Sequence, residues 1–329
     1  MKIAIVRLSA MGDILQTMVV LQYIKARYPM SEIDWFIESK FYDLLQGNSD
    51  IRNIIPINLE EIRTKKSIYK FFKLTSYLRN LQNYDLVIDF QGLIKSAIIS
   101  KFIPSKRTIG FSRDSIKEKF AAYFYNEKYS IPYEENVIRR YLFLLENSLN
   151  LNISDEEVRN KKPFFFLSKR NKENKDFKIL IIIGASFPSK IYPIDNYLEI
   201  IRNVDADFEV IWGSDNEKKL ANELGQKDSK VRISKKLTMN GLKKKIWESD
   251  LVIGGDTGPT HLAWSMNIPS ITIFGPTIAN RNCFISDINL AIDAENQINV
   301  FKINKSDRSI NSIPPKSIVN LILSLRKNL

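Results

Sequence analysis

Three short stretches bring together residue types with complementary chemistry. In Gly254-Gly255-Asp256-Thr257-Gly258-Pro259-Thr260-His261, the glycines permit close backbone approach, Thr257 and Gly258 would offer N–H groups at a helix start, and Pro259 suits a first helical turn. That is the make-up of an anion site, although a glycine-rich turn without a ligand has the same composition. His261, the only histidine of the chain, falls on the first turn of that helix, where a structural role against a backbone group is equally open to it. Gly184-Ala185-Ser186-Phe187-Pro188-Ser189-Lys190 follows a buried strand with hydroxyl and backbone donors plus one point charge, a set suited to a diphosphate. The Walker A spacing is absent, and Lys190 also fits a solvated loop lysine. In Ser9-Ala10-Met11-Gly12-Asp13, Gly12 allows a tight turn and Asp13 opens a helix. Its carboxylate is then either an N-cap or, at the C-terminal edge of the first strand, a base for a substrate hydroxyl.

A fourth acid, Glu217, follows Trp212-Gly213-Ser214 at the end of another strand. There it reads as a ribose ligand of the kind dinucleotide folds use, or as an ordinary first-turn helix acid. Basic residues segregate: six lie between Glu61 and Asp85 (Arg63, Lys65, Lys66, Lys70, Lys73, Arg79) and five between Asp89 and Asp114, with no acid in either interval. An anionic partner would favour these stretches, although charge runs also occur as plain solvated faces. Asp205-Ala206-Asp207 has the D-x-D spacing of metal-bound nucleotide-sugar sites but precedes a strand, the wrong end of the sheet. No G-x-G-x-x-G with an acid about 20 residues on is present, which argues against a dinucleotide cofactor.

The elements that must position these loops alternate. Ile3 to Arg7, Asp34 to Ile37, Ile54 to Ile57 and Asp85 to Asp89 read as strands, with helical patterns near Tyr42 to Gln46, Ile68 to Leu81 and Leu93 to Phe102. Ile116 to Asn150 reads as helix-rich, and the polar run Ser168 to Lys178 as a linker or exposed loop. The rhythm restarts with strands at Ile179 to Gly184, Phe208 to Gly213, Leu251 to Gly254 and Ser270 to Phe274. Such alternation implies parallel, doubly wound sheets with ligands at the carboxyl ends of the strands. The 329 residues, 44% of them hydrophobic, exceed one compact core. The predicted division is 1–165, 166–312 and a C-terminal helix, 313–329, that could cross back onto the first domain.

One cysteine, Cys283, excludes an internal disulfide, and a single histidine nearly excludes a Cys/His zinc site. Met1 to Leu21 imitates a secretion signal, but Arg7 interrupts the apolar stretch and Asp13 falls where it should continue. It is expected to be a first strand and helix of a cytoplasmic protein. No window holds the ~18 apolar residues of a membrane span. The formal charge of +12 favours polyanionic partners, nucleic acid included, though a lysine-rich proteome would give the same total.

Taken together, Arg7 to Asp13 (RLSAMGD), Asp89 to Ala97 (DFQGLIKSA) and Gly255 to His261 (GDTGPTH) resemble glycosyltransferase family 9, the lipopolysaccharide heptosyltransferases. The likeness extends along essentially the whole chain, and S-x-M-G-D is similar to the subgroup that adds the first heptose, the second-heptose enzymes being the alternative. The resemblance implies a GT-B fold, two Rossmann-like domains facing each other across a cleft that closes on its substrates. It implies inverting, metal-independent transfer of L-glycero-D-manno-heptose from its ADP-activated form to a Kdo sugar of lipid A, without a cofactor and without nucleic acid as partner. By residue, it makes Asp13 the general base and Lys190 the cation that meets the diphosphate. Ser186, Thr257 and Gly258 become phosphate contacts, Asp256 an acid gripping heptose hydroxyls, Glu217 the ribose acid, and His261 a residue near the donor. Family members often carry threonines before the lysine. Here Ala185 and Ser186 stand there, so one hydroxyl contact is missing. Arg63, Lys65, Lys66 and Lys95 are the candidates for the acceptor's anionic groups. An acceptor in the cytoplasmic leaflet of the inner membrane implies peripheral contact, with Phe71-Phe72, Tyr123-Phe124-Tyr125 and Phe164-Phe165-Phe166 as available aromatics.

Overall fold

β1 (Lys2–Val6) is an apolar run in which only Lys2 is not buried. A strand apolar on both faces belongs in the middle of a parallel sheet covered by helices on two sides. Burying Ile3 or Ile5 contributes roughly 1.5–3 kcal/mol each, which offsets the roughly 1–2 kcal/mol lost in ordering one residue's backbone. The computed structural model describes residues 1–64, 67–165, 167, 176–294 and 298–328. The chain divides into two units, Met1–Phe164 and Phe165–Leu329.

In the first unit β1 pairs with β2 (Glu32–Glu38) and β4 (Leu86–Asp89). β3 (Asn53–Ile57), β5 (Thr108–Phe111) and β6 (Glu127–Tyr129) complete a parallel sheet in the order β3-β2-β1-β4-β5-β6. The strand order reverses between β1 and β4, the place where doubly wound sheets open a ligand crevice. Both edges are blunted, one by Pro56 in β3 and the other by the three-residue β6.

The second unit repeats this topology. β7 (Lys178–Ile182), β8 (Asp207–Ile211), β9 (Val231–Ile233), β10 (Leu251–Gly255), β11 (Ser270–Phe274) and β12 (Asn289–Asp293) lie in the order β12-β11-β10-β7-β8-β9. Its reversal falls between β7 and β10, both buried.

Four strands differ from the sequence reading. β5, β6, β9 and β12 are three to five residues long; the last three are partly exposed and the buried β5 is broken by Thr108 and Gly110, so none makes the apolar run that announced the central strands. The stretch 116–150 is not helix throughout: it holds a 3-10 turn, Lys119–Phe124, then β6, then the helix Val137–Leu149. The final helix, Pro315–Asn328, belongs to the second unit, whose core takes Ile318, Val319, Ile322 and Leu325. Of the expected linker, Ser168 to Lys175 lie outside the described residues.

Candidate functional site

In the second unit the loops that follow β7 and β10 flank the strand-order reversal, and Lys190 and Asp256 sit on them. Lys190 closes a 3-10 turn, Pro188–Lys190. Its carbonyl oxygen packs so tightly on Gly255 that a β-carbon there would lie 2.5 Å from it, so the loop's path requires glycine. Lys190 Nζ donates to Asp256 Oδ2 at 2.6 Å and to the Asp256 carbonyl at 3.3 Å. Thr277 Oγ1 donates to the same carboxylate oxygen at 2.9 Å, and His261 Nε2 lies 2.9 Å from Oδ1. All four side chains are buried. Lys190 is therefore not a solvated loop lysine.

Burial alone would raise the Asp256 pKa, but the hydrogen bond from His261 and the charge of Lys190 outweigh it and hold the carboxyl well below its usual range. An ionised carboxylate only accepts, so His261 Nε2 carries the proton of that bond. This gives His261 a definite contact, the Asp256 carboxylate. Three protein donors also occupy the carboxylate that the resemblance assigns to sugar hydroxyls, which makes Asp256 the anchor of Lys190 in this structure.

The helix Gly258–Ser265 starts beside this cluster, with Thr257 as its N-cap and Pro259 in its first turn. The Thr257 carbonyl accepts from Thr260 N and His261 N, both at 3.1 Å. The N–H groups of Thr257 and Gly258 make no such bond to a described residue, which leaves an anion-seeking helix end. Ser186 is exposed on the β7 loop. Glu217 forms the capping box of the helix Asp215–Lys227 with Ser214. Its Oε2 accepts from Gly213 N at 2.6 Å and Ser214 N at 3.1 Å, so the first-turn role is real. Its Oε1 bonds to no described residue and rests on Gly184, where a β-carbon would lie 2.3 Å away.

In the first unit the corresponding loops follow β1 and β4. Asp13 is not the N-cap of the helix Met11–Thr17; Ala10 is, and Asp13 stands at the third helical position. Its Oδ2 accepts weakly from Ala10 N at 3.3 Å and pairs with Arg7 Nη2 at 2.9 Å. The Asp13 side chain remains 43% exposed. From the β4 loop, Gln91 Oε1 accepts from Leu8 N at 2.8 Å, and Lys95 Nζ donates to Ser9 Oγ at 3.2 Å. The Asp13 loop and Lys95 are thus brought together. Asp89, buried beneath them, accepts from Gln91 N, Gly92 N and Tyr125 OH, and burial raises its pKa despite these bonds.

Lys65 and Lys66 lie outside the described residues, and of Arg63 only the backbone, in the helix Leu59–Thr64, is described. Lys95 also borders a cavity of about 280 Å³, walled by Phe71, Leu74, Leu78, Ile98 and Phe102, with Glu38 and Glu60 among its polar lining. Of the aromatics expected at a membrane, Phe72 and Tyr123 are 64% and 68% exposed, near exposed Lys73 and Lys119. Tyr125, Phe164 and Phe165 are buried in the core, where they have no access to a membrane. Phe166 lies outside the described residues.

Sequence reasoning missed Thr277 and Arg7. Thr277 follows β11 in Phe274-Gly275-Pro276-Thr277, and the rule that loops after strands carry function points to it. Arg7 stood out only as a charge interrupting an apolar run. Among the described residues, no group of three or more His, Cys, Asp or Glu is placed to hold a metal ion, and no helix is long and apolar enough to cross a membrane.

Residues 71–306 match the model of glycosyltransferase family 9 (heptosyltransferase). Lipopolysaccharide heptosyltransferase 1 of Campylobacter coli is 38% identical over 344 aligned positions, which cover 99% of each chain. The heptosyltransferase WaaC of E. coli solved with ADP is similar in fold, with a TM-score of 0.81 at 20% identity, covering 99% of this chain and 100% of that one. WaaC solved with ADP-2-deoxy-2-fluoro heptose gives a TM-score of 0.78 at 20% identity with full coverage of both.

Proposed function

The chain belongs to glycosyltransferase family 9, is a heptosyltransferase of lipopolysaccharide core biosynthesis, and we propose that it moves L-glycero-D-manno-heptose from ADP-heptose to Kdo of Kdo-lipid A. The donor assignment is supported by the ADP and ADP-heptose analogue in the WaaC structures, and the first-heptose reading by the relative of 38% identity. The acceptor and its site at the cytoplasmic face of the inner membrane are supported by Lys95 beside the Asp13 loop, by the apolar cavity it borders, and by exposed Phe72 and Tyr123 near lysines. Aromatics with basic neighbours suit an anionic lipid surface.

In the proposed reaction Asp13 takes the proton of the acceptor hydroxyl, whose oxygen bonds to the anomeric carbon from the face opposite the diphosphate. The bond from that carbon to the diphosphate breaks, its electron pair leaves with ADP, and the configuration inverts. Lys190 and the free N–H groups of Thr257 and Gly258 meet the growing phosphate charge, the task a metal performs in D-x-D enzymes. Ser186 adds a hydroxyl contact, Glu217 Oε1 is left to the ribose, and Asp256 and His261 hold Lys190 and the loop around the sugar.

The observation that carries this reading is the buried Lys190–Asp256 pair beside an unbonded helix N-terminus: a fixed cation and free N–H donors at one place. Mass spectrometry of products from ADP-heptose and Kdo-lipid A, with EDTA present, tests it. A heptosylated Kdo product with undiminished yield is expected. Transfer only to another acceptor would refute the assignment, and transfer abolished by EDTA would refute the metal-free mechanism.

A further inference from the structure

Arg7 carries a charge directly after β1, a strand buried from Ile3 to Val6, and its surroundings give it one use. The residue is only 5% exposed, too deep to meet a substrate. Its backbone is fixed on both sides: Arg7 N donates to Phe36 O at 3.2 Å, and Arg7 O accepts from Trp35 Nε1 at 3.1 Å. The guanidinium lies over the Tyr141 ring, 5.3 Å from its centroid. Nη1 donates to the Phe90 carbonyl at 2.9 Å, and Nη2 reaches Asp13 Oδ2 at 2.9 Å. Nε is buried without a hydrogen-bond partner. The side chain is therefore committed to two acceptors, the carbonyl at the end of β4 and one oxygen of Asp13.

The two carboxylate oxygens of Asp13 are consequently not equivalent. Oδ2 takes Arg7 Nη2 and Ala10 N. Oδ1 makes no hydrogen bond with a described residue, while the side chain stays partly open to solvent. We infer that Arg7 is the positioning residue of the base: it ties down Oδ2, so that Oδ1 is the oxygen that receives the acceptor proton. This rests on the reading of Asp13 as the base. A planar fork bridges two acceptors along diverging lines, whereas a lysine offers one point charge. The same pair of bonds ties the Asp13 loop to the end of β4, so the carboxylate's direction follows from the strand-order reversal itself.

Steady-state kinetics of the full chain with Arg7→Met and Arg7→Lys test this, together with ADP titration calorimetry and thermal unfolding. A base that wanders loses the oriented approach, so Arg7→Met is expected to lower kcat by roughly 10–100-fold. KM for ADP-heptose and the Kd of ADP should stay within about twofold of wild type, because the donor residues lie in the other unit. Arg7→Lys should recover part of the lost kcat. In an Asp13→Asn background, where no base remains to be aimed, adding Arg7→Met should change the residual rate by less than about twofold. Wild-type kcat in Arg7→Met, or the same fold-loss in both backgrounds, overturns the inference. If Arg7→Met shows no cooperative unfolding, Arg7→Lys decides: a wild-type kcat there overturns it equally. Near-normal turnover by Asp13→Asn alone would instead refute the base assignment.

Discussion

Lys190 Nζ and Asp256 Oδ2 lie 2.6 Å apart although 66 residues separate them in the chain, and both are buried. Two charges taken out of water hold together only while each has the other, because the desolvation of either is then uncompensated by anything else of comparable strength. His261 and Thr277 add hydrogen bonds to the same carboxylate. The pair is thus at once a stability element and the means of aiming a cation.

Removing either partner should therefore show in two measurements. Asp256→Ala leaves a buried ammonium and is expected to cost about 3–5 kcal/mol of stability, read as a lower midpoint in denaturant unfolding. Lys190→Met should lower kcat by roughly 10²–10³-fold, the usual loss of one pre-aimed group that stabilises transition-state charge. Turnover by Lys190→Met within about threefold of wild type would remove Lys190 from the chemistry.

Acid should release this cluster. The folded pKa of Asp256 is depressed, so its contribution is fully present above the unfolded carboxyl pKa of about 3.9 and is lost as pH falls below that value. Thermal unfolding followed from pH 7 to pH 3 should show a drop below about pH 4 that is smaller in Asp256→Asn. Parallel curves for the two proteins would contradict the assignment.

The central framework was legible because β1, β4, β7 and β10 are apolar runs with loops of distinctive chemistry after them. That placed Asp13, Lys190 and Asp256 at the right ends of their strands. Short strands such as β6 and β9 were not legible, since three residues with at most one of them buried leave no apolar period to read. Nor were partners set by the tertiary fold. Nothing local to Arg7 announces the Phe90 carbonyl 83 residues away, and nothing local to Thr277 announces Asp256. Glu217 is the case in between: its capping spacing S-x-x-E is visible, whereas its second oxygen lying over Gly184 is a fact of two adjacent strand ends.

Lys161 gives a pH effect of opposite direction. The side chain is buried with its Nζ 4.7 Å from the centre of the Phe164 ring, and burial pushes its pKa down to about 7. A lysine whose folded pKa is depressed opposes folding below that pH, and the penalty fades as pH rises toward the unfolded value near 10.4. The shift corresponds to at most about 5 kcal/mol. Lys161→Met should therefore raise the unfolding temperature over wild type more at pH 6 than at pH 9. An equal difference at both would show that the ammonium is solvated.

Two glycines near Glu217 separate its capping role from its proposed ribose role. A β-carbon on Gly184 would lie 2.1 Å from Glu217 Cδ and 2.3 Å from Oε1, whereas one on Gly213 would meet only Oε2, at 3.4 Å. The obstructed atoms are the far end of a flexible side chain, so Gly184→Ala should fold with Glu217 swung aside, losing on the order of 1 kcal/mol with the cap. If Oε1 holds the ribose, ADP affinity measured by calorimetry should fall about tenfold in Gly184→Ala, one charge-assisted hydrogen bond being worth about 1.5 kcal/mol or more. Gly213→Ala should bind ADP nearly as wild type does. Unchanged affinity in Gly184→Ala alongside a lowered unfolding temperature would leave Glu217 as a helix cap and nothing more, and the donor's ribose would need another acid.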